Sequence, residues 1–232
     1  MITIRKAQDR GPSNLGWLNS KHTFSFGHYY DAQYMGFESL RVINDDHVKA
    51  GMGFGTHPHE NMEIISYVLD GALAHKDSMG NGSVIKPGEV QLMSAGSGIT
   101  HSEYNHSKTD EVHFLQIWFM PNERNLTPGY HQKYFDDSQK RGQFCLVVSA
   151  DGRNDSLTIN QNMDMSVALF NGNEAANYEL ADNHKAWVHI ARGDVTMNSH
   201  KLKAGDGVAV EETSELDFAD GNNAEVIIFD MA

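Results

Sequence analysis

The sequence is short of the features that mark several large protein classes. It has one cysteine, Cys145, in 232 residues, so no disulfide can form within the chain and a stapled secreted fold is excluded. That economy fits a reducing compartment, and the cytoplasm is the expected location. The opening residues, MITIRKAQDRGPSN, hold no apolar stretch of the kind a secretory signal needs. No run of 18 apolar residues occurs, so no membrane-spanning helix is expected. Basic residues are scarce, with 18 Lys+Arg against 31 Asp+Glu and a formal charge of −13. Such a balance repels phosphates and argues against direct binding to nucleic acid or an anionic membrane. A capped 3.6-residue period is missing too, apart from a short helix expected near Gln132–Gln139.

What is present reads as β-structure. Apolar residues make up 40% of the chain, enough for a folded core rather than disorder. Short β-type runs recur at close spacing: Leu40–Asn44, Met62–Leu69, Val90–Met93, Val112–Met120, Phe144–Ser149, Trp187–Ala191, Gly207–Val210 and Val226–Asp230. Turn signals fall between them at Asn44-Asp45-Asp46, Asp70-Gly71, Gly80-Asn81-Gly82, Lys86-Pro87-Gly88, Arg192-Gly193-Asp194 and Asp220-Gly221. The texture loosens over Met120–Arg141, where Pro121, Pro128 and Gly129 precede a polar stretch. This segment is expected to link two halves. A faint echo of strand, turn and Lys-x-Gly motif in each half predicts an all-β fold of two barrels, residues 1–130 and 131–232.

Histidine is abundant, 13 in all, and concentrated in the first half. The densest cluster is Gly51-Met-Gly-Phe-Gly-Thr-His57-Pro-His59-Glu60-Asn-Met-Glu63. A lone HxH means little, but strand side chains alternate faces, so His57 and His59 point the same way. On a regular strand Glu63 shares that parity. A second x, x+2 pair, His101-Ser102-Glu103, follows a glycine-bearing turn. Two neighbouring strands, each offering such a pair into one barrel, can surround a single ion. Three imidazoles and a carboxylate leave coordination positions open, which suits Fe(II), Mn(II), Ni(II), Cu(II) or Zn(II). Glu63 is expected to ligate, to hold an imidazole, or to form a structural ion pair. His75 and Asp77 read as part of a hairpin beside the barrel. His22 reads as a residue of the pocket rim, Phe24 and Phe26 as core, His113 as a buried core histidine and Cys145 as a buried apolar residue.

At this point the residues resemble a family. Gly51, His57, His59, Glu63 and Gly71 look like a first cupin motif, and Pro87-Gly88 with His101 like a second. The later Gly71, the longer Gly96-to-His101 stretch and the Glu103 after the last histidine match the pirin branch of that superfamily. His22-Thr-Phe-Ser-Phe26, Arg41-Val-Ile-Asn-Asp45-Asp46, His75-Lys-Asp77 and Ser94-Ala-Gly-Ser-Gly-Ile-Thr-His101-Ser-Glu103 agree, in family order.

The length and second half look most like bacterial pirin-like quercetin dioxygenases. The resemblance implies a bicupin with one divalent metal, in the N-terminal barrel only, on His57, His59, His101 and Glu103. Fe(II) is favoured, with Zn, Mn, Ni, Cu or Co as alternatives. It implies oxygen-dependent ring opening of a flavonol such as quercetin, with loss of carbon monoxide. The substrates would be a small aromatic polyphenol and O2. Glu103 is the first choice of proton acceptor and Glu63 the second. The other reading is a non-enzymatic, metal-dependent regulator that docks on a transcription-related protein partner, for which the acidic charge favours a basic surface.

Overall fold

The structure is a computed structural model describing all residues, Met1–Ala232. Its regular structure is almost entirely strand. The first half runs β1 (Ile2–Arg5), β2 (Gly11–Asn14), β3 (Leu18–His22), β4 (Leu40–Val48), β5 (Gly53–His59), β6 (Glu63–Asp70), β7 (Leu73–Asp77), β8 (Gly82–Ile85), β9 (Glu89–Ser94), β10 (Ile99–Asn105), β11 (Val112–Phe119) and β12 (Gly129–Tyr134). Then come α1 (Asp137–Lys140), β13 (Cys145–Ser149), β14 (Leu157–Thr158), β15 (Met163–Phe170), β16 (Ala176–Glu179), β17 (Lys185–Met197), β18 (His200–Lys203), β19 (Gly207–Val210) and β20 (Glu215–Met231). None of the helices is long and apolar enough to cross a membrane.

The chain forms two compact units. One comprises Gly11–Tyr134 with Ile159–Gln161, the other Met1–Arg10, Phe135–Thr158 and Asn162–Ala232. The units change after Tyr134, where the sequence placed a single cut at 130/131, and two short segments are exchanged. Met1–Arg10 joins the second unit because β1 pairs antiparallel with β19, Ile2 opposite Val210 through Arg5 opposite Gly207. Ile159–Gln161 joins the first because the Asn160 amide groups hydrogen-bond Glu63 and Ser94.

The first unit packs a seven-stranded sheet, β12-β9-β6-β11-β4-β3-β2, against a four-stranded sheet, β5-β10-β7-β8. Leu18, Val48, Val68 and Phe114 from the large sheet meet Leu73 and Ile85 from the small one in a buried apolar cluster. Phe114 is fully buried there, and truncating such a ring costs about 3–5 kcal/mol. Two residues along each strand, on the same face, the lining turns polar. Val48 gives way to Asp46 and Asn44, Val68 to Ser66 and Phe114 to Gln116, while β10 is polar throughout this face, with Asn105, Glu103 and His101. Cross-strand pairing aligns these steps, with Ser66 opposite Gln116 and Gln116 opposite Asn44. The barrel interior is therefore apolar at one level and polar at the next, and the histidines lie at the polar level.

The second unit is a nine-stranded sheet, β1-β19-β17-β20-β15-β13-β14, with β16 on β20 and β18 on β17. Its core holds Phe170, Val188, Ile190, Met197, Phe218 and Ile228, with the Phe170 and Phe218 rings stacked at 5.9 Å. Two expected turns, Arg192–Asp194 and Asp220-Gly221, lie inside the long strands β17 and β20. They form irregularities in the ladder instead of reversals. At the first, Gly193 has φ 63°, and a Cβ there would stand 2.3 Å from the carbonyl oxygens of Asn222 and Asn223. Bulges of this kind bend a strand without ending it.

Three further expectations differ from what is observed. Asn44-Asp45-Asp46 is not a turn but the middle of β4. The expected linker contains β12, paired over six residues with β9. The expected helix at Gln132–Gln139 is β12 up to Tyr134, followed by the single turn α1. There Asp136 accepts from Ser138 N and Gln139 Oε1 accepts from Asp136 N, which caps a helix only one turn long.

Candidate metal centre

A cavity of about 210 Å³, open on one side, lies at the polar level of the first barrel. Phe26, Phe54 and Trp118 form its apolar wall. Asn44, Asp46, Glu103 and Gln116 form its polar one, and His57, His59 and His101 project into it. Strand alternation puts them there: His57 and His59 come from β5, and His101 and Glu103 from the adjacent β10, with His57 directly opposite His101.

The three imidazoles converge. His57 Nε2 and His101 Nε2 lie 3.0 Å apart, and His59, His57 and His101 offer ring nitrogens within 4.8 Å of one another. His57 donates from Nδ1 to the Gly55 carbonyl at 2.8 Å, which leaves a lone pair on Nε2. His59 Nε2 is buried and has no hydrogen-bond partner. Burial, and then the neighbouring His57, push His59 down to about 4. Burial followed by His57, His59 and His75 push His101 down to about 3. Both rings are thus neutral near pH 7, the form that ligates a cation. The donor set fits a divalent transition metal: neutral nitrogens, one of them an orphan, spaced like donors each about 2.0–2.1 Å from a shared ion.

Glu103 adjoins this group. The residue is 3% exposed, and its Oε1 accepts from Gln116 Nε2 at 2.6 Å and Ser66 Oγ at 3.1 Å. Burial holds its pKa above the usual carboxylate value despite those donors and the nearby His75. Behind His101 lies a second layer. His75 Nδ1 is 3.4 Å from His101 Nδ1, and His75 Nε2 is 3.4 Å from Asp77 Oδ2. Asp77 is fixed by Met79 N, Asn81 N and Asn81 Nδ2. A histidine ligand whose outer nitrogen is held in this way keeps its tautomer and orientation. His75, His101 and Glu103 also form a compact, fully buried group of potential donors.

Other candidates lie elsewhere. The alignment of Glu63 with His57 and His59 required one uninterrupted strand. The chain instead turns between β5 and β6, with Asn61 at φ 51°, and Glu63 opens β6. Its carboxylate accepts from Ser94 Oγ at 2.8 Å and from Asn160, and it does not line the cavity. His113 is not a core residue. It is half-buried, 2.6 Å from Asp45 Oδ1 and stacked on His47 at 3.9 Å. Phe24 is core, whereas Phe26 lines the cavity, edge-on to Trp118. Cys145 is only half-buried. His22 is buried and 2.6 Å from Asn44 Oδ1.

The sequence reading missed Asp46, Ser66 and Gln116 and undervalued His75 and Asp77. A signal was available in β4, where Val42, Asn44, Asp46 and Val48 alternate on one face with two polar residues between apolar ones. Reading Asn44–Asp46 as a turn hid it.

The comparisons with known proteins agree with this architecture. The Pirin family pattern matches residues 3–119, and the quercetinase C-terminal cupin domain matches residues 146–231. Both units are cupin domains and the fold is an all-β bicupin. A protein of Escherichia coli K12 named quercetin 2,3-dioxygenase is 46% identical, covering 100% of this chain and 99% of its own. A pirin-like protein of Caulobacter vibrioides is 36% identical over 100% of both chains. The structure of the bacterial pirin YhhW of Escherichia coli in complex with nickel(II) superposes with TM-score 0.94. It shares 44% identity and covers 100% of this chain and 99% of that one. The chain belongs to the pirin family.

Proposed function

We propose that this protein is a metal-dependent dioxygenase that opens the central ring of flavonols such as quercetin and releases carbon monoxide. The observation that carries the reading is the convergence of three imidazoles, one with an orphaned and buried Nε2, on a cavity with an aromatic wall. The name carried by the 46% identical relative and the nickel(II) complex of the 44% identical one support it. His57, His59, His101 and Glu103 would hold one divalent transition metal. The donor set suits Fe(II), Ni(II), Mn(II), Cu(II), Co(II) or Zn(II), and supply in the cell selects among them. When bound, the ion supplies a Lewis-acidic position for an anionic oxygen and for O2.

The chain's own residues do the rest. Phe26, Phe54 and Trp118 grip an aromatic ring and exclude water. Ser66 and Gln116 pin Oε1 of Glu103, which leaves Oε2 to ligate. Asp77 and His75 hold His101 in place. The flavonol hydroxyl has to lose its proton to a carboxylate of the cavity, of which Glu103 is the one adjoining the imidazoles. The single cysteine fits work in the reducing cytoplasm.

The test is oxygen uptake and carbon monoxide release with a flavonol panel, at measured metal content. Metal-loaded protein that consumes no oxygen with any flavonol would refute the reading and favour the non-enzymatic regulator.

A further inference from the structure

Asp46 stands out among the cavity residues. It is 2% exposed, lines the cavity with Glu103 and the histidines, and its Oδ1 has no hydrogen-bond partner. A buried carboxylate oxygen left bare is costly and rare in folded proteins, and in a cavity wall it marks a place where a ligand donates. Asp46 comes from β4 of the large sheet, whereas the imidazoles come from β5 and β10 of the small one. A molecule held in the cavity therefore meets the two from different walls.

The surroundings of Asp46 form a device for one proton. Ser20 lies directly opposite it on β3, and His22 opposite Asn44. His22 Nδ1 is 2.6 Å from Asn44 Oδ1, an acceptor, so the ring donates there. Ser20 Oγ, 3.4 Å from the same ring nitrogen, keeps its own proton for the Asp46 carboxylate, which it stabilises. Burial, with the charges of Asp45 and Glu103, outweighs that bond and raises Asp46 to about 7, where a carboxylate gives and takes a proton readily. Glu103 is less free to do so: Oε1 is committed to Ser66 and Gln116, and ligation takes the other oxygen.

We propose that Asp46 is a catalytic residue whose bare Oδ1 accepts the hydroxyl proton of a polyphenol bound in the cavity. The substrate O–H bond breaks, an Oδ1–H bond forms, and the electron pair remains on the substrate oxygen as the negative charge that activates the ring towards O2. The proposal rests on the dioxygenase reading and transfers the proton from Glu103's care to Asp46.

The experiment is an anaerobic titration of metal-loaded parent and Asp46→Asn protein with quercetin, followed by absorption, since the ionised flavonol absorbs at longer wavelength than the neutral form. The parent is expected to bind the ionised form. Asp46→Asn is expected to bind the neutral form, to keep the parent's metal content and KM within a few-fold, and to lose about 10²-fold or more in kcat. The same red shift and kcat in both proteins would overturn the proposal. If Asp46→Asn does not fold, Ser20→Ala carries the test. Without its donor the carboxylate holds its proton more tightly, so the acidic limb of kcat should move to higher pH. An unmoved limb overturns the assignment. Of the neighbouring titratable groups, Glu103, His57, His59 and His101 line the cavity, and His22, whose Nδ1 loses a 3.4 Å contact with Ser20 Oγ, keeps its 2.6 Å bond to Asn44 Oδ1. A parent that binds no flavonol would defeat the dioxygenase reading and this proposal together. A parent and an Asp46→Asn variant that ionise and cleave flavonol alike would defeat this proposal alone.

Discussion

Replacing Glu103 by Gln should move stability in opposite directions with and without metal. In the metal-free protein Glu103 is buried, and its pKa is raised because burial outweighs the donors around it. A carboxylate with a raised folded-state pKa contributes most below its unfolded value of about 4.3. That contribution is lost as pH rises through the folded pKa. At pH 8 the ionised carboxylate is therefore a liability. Gln removes the charge and can still present an oxygen to Gln116 Nε2 and Ser66 Oγ, so metal-free Glu103→Gln should melt at or above the parent temperature. The gain should vanish below about pH 4.

With metal the sign reverses, because Gln offers neither charge nor a good ligand. Ligand stabilisation falls by about 1.4 kcal/mol for each tenfold loss of affinity. For a chain of this size that is roughly 3–6 °C of melting temperature. Three imidazoles remain, so a loss of about tenfold or more is expected rather than abolition. Thermal melts of stripped and metal-saturated samples at pH 8, with bound metal measured on each, decide the matter. If Glu103→Gln lowers the metal-free melting temperature and leaves the metal-induced rise unchanged, Glu103 is a hydrogen-bond hub and not a ligand.

Three other outcomes are expected. His59 is depressed to about 4, so it contributes stability above pH 6.5 that is lost as pH falls towards 4. His59→Gln should flatten the fall of the metal-free melting temperature over that window, and an unchanged profile would show that burial of this ring does not perturb it. Glu63→Gln should leave metal content and turnover near parent values. It should lower stability by about 1–3 kcal/mol in denaturant unfolding, because one amide oxygen can replace Oε2, which accepts from Ser94 Oγ and Asn160 N, but the amide NH2 would then face Asn160 Nδ2, which Oε1 now accepts; loss of activity in a stable, metal-loaded variant would return Glu63 to the catalytic apparatus. Trp118 packs edge-on to His59 at 4.9 Å and donates from Nε1 to Gln116 Oε1 at 3.3 Å. Trp118→Ala should raise the KM for flavonols more than it lowers metal affinity, and equal losses of both would mean that the ring orders the ligands rather than the substrate.

The sequence by itself determined the fold class and grouped the candidate donors. Short β-type runs separated by frequent turns mark β-structure, whether one face of the strand is buried or, as in β6, both are. Strand parity sends His57 with His59, and His101 with Glu103, to one side of their strands. These are local consequences of backbone geometry, legible wherever a strand is regular. Parity failed at Glu63, because a turn at Asn61 separates it from β5 and only the folded chain shows where one strand stops. It failed at Asp46, because Asn-Asp-Asp has turn chemistry in isolation and becomes mid-strand only when β3 and β11 pair on either side of it. His75 and Asp77 acquired meaning from register: β7 lies beside β10 with Glu103 opposite His75 and His101 opposite Asp77. The exchange of Met1–Arg10 and Ile159–Gln161 between units is likewise a matter of long-range pairing. Such pairing joins residues far apart in the chain, and no local pattern in either partner records it.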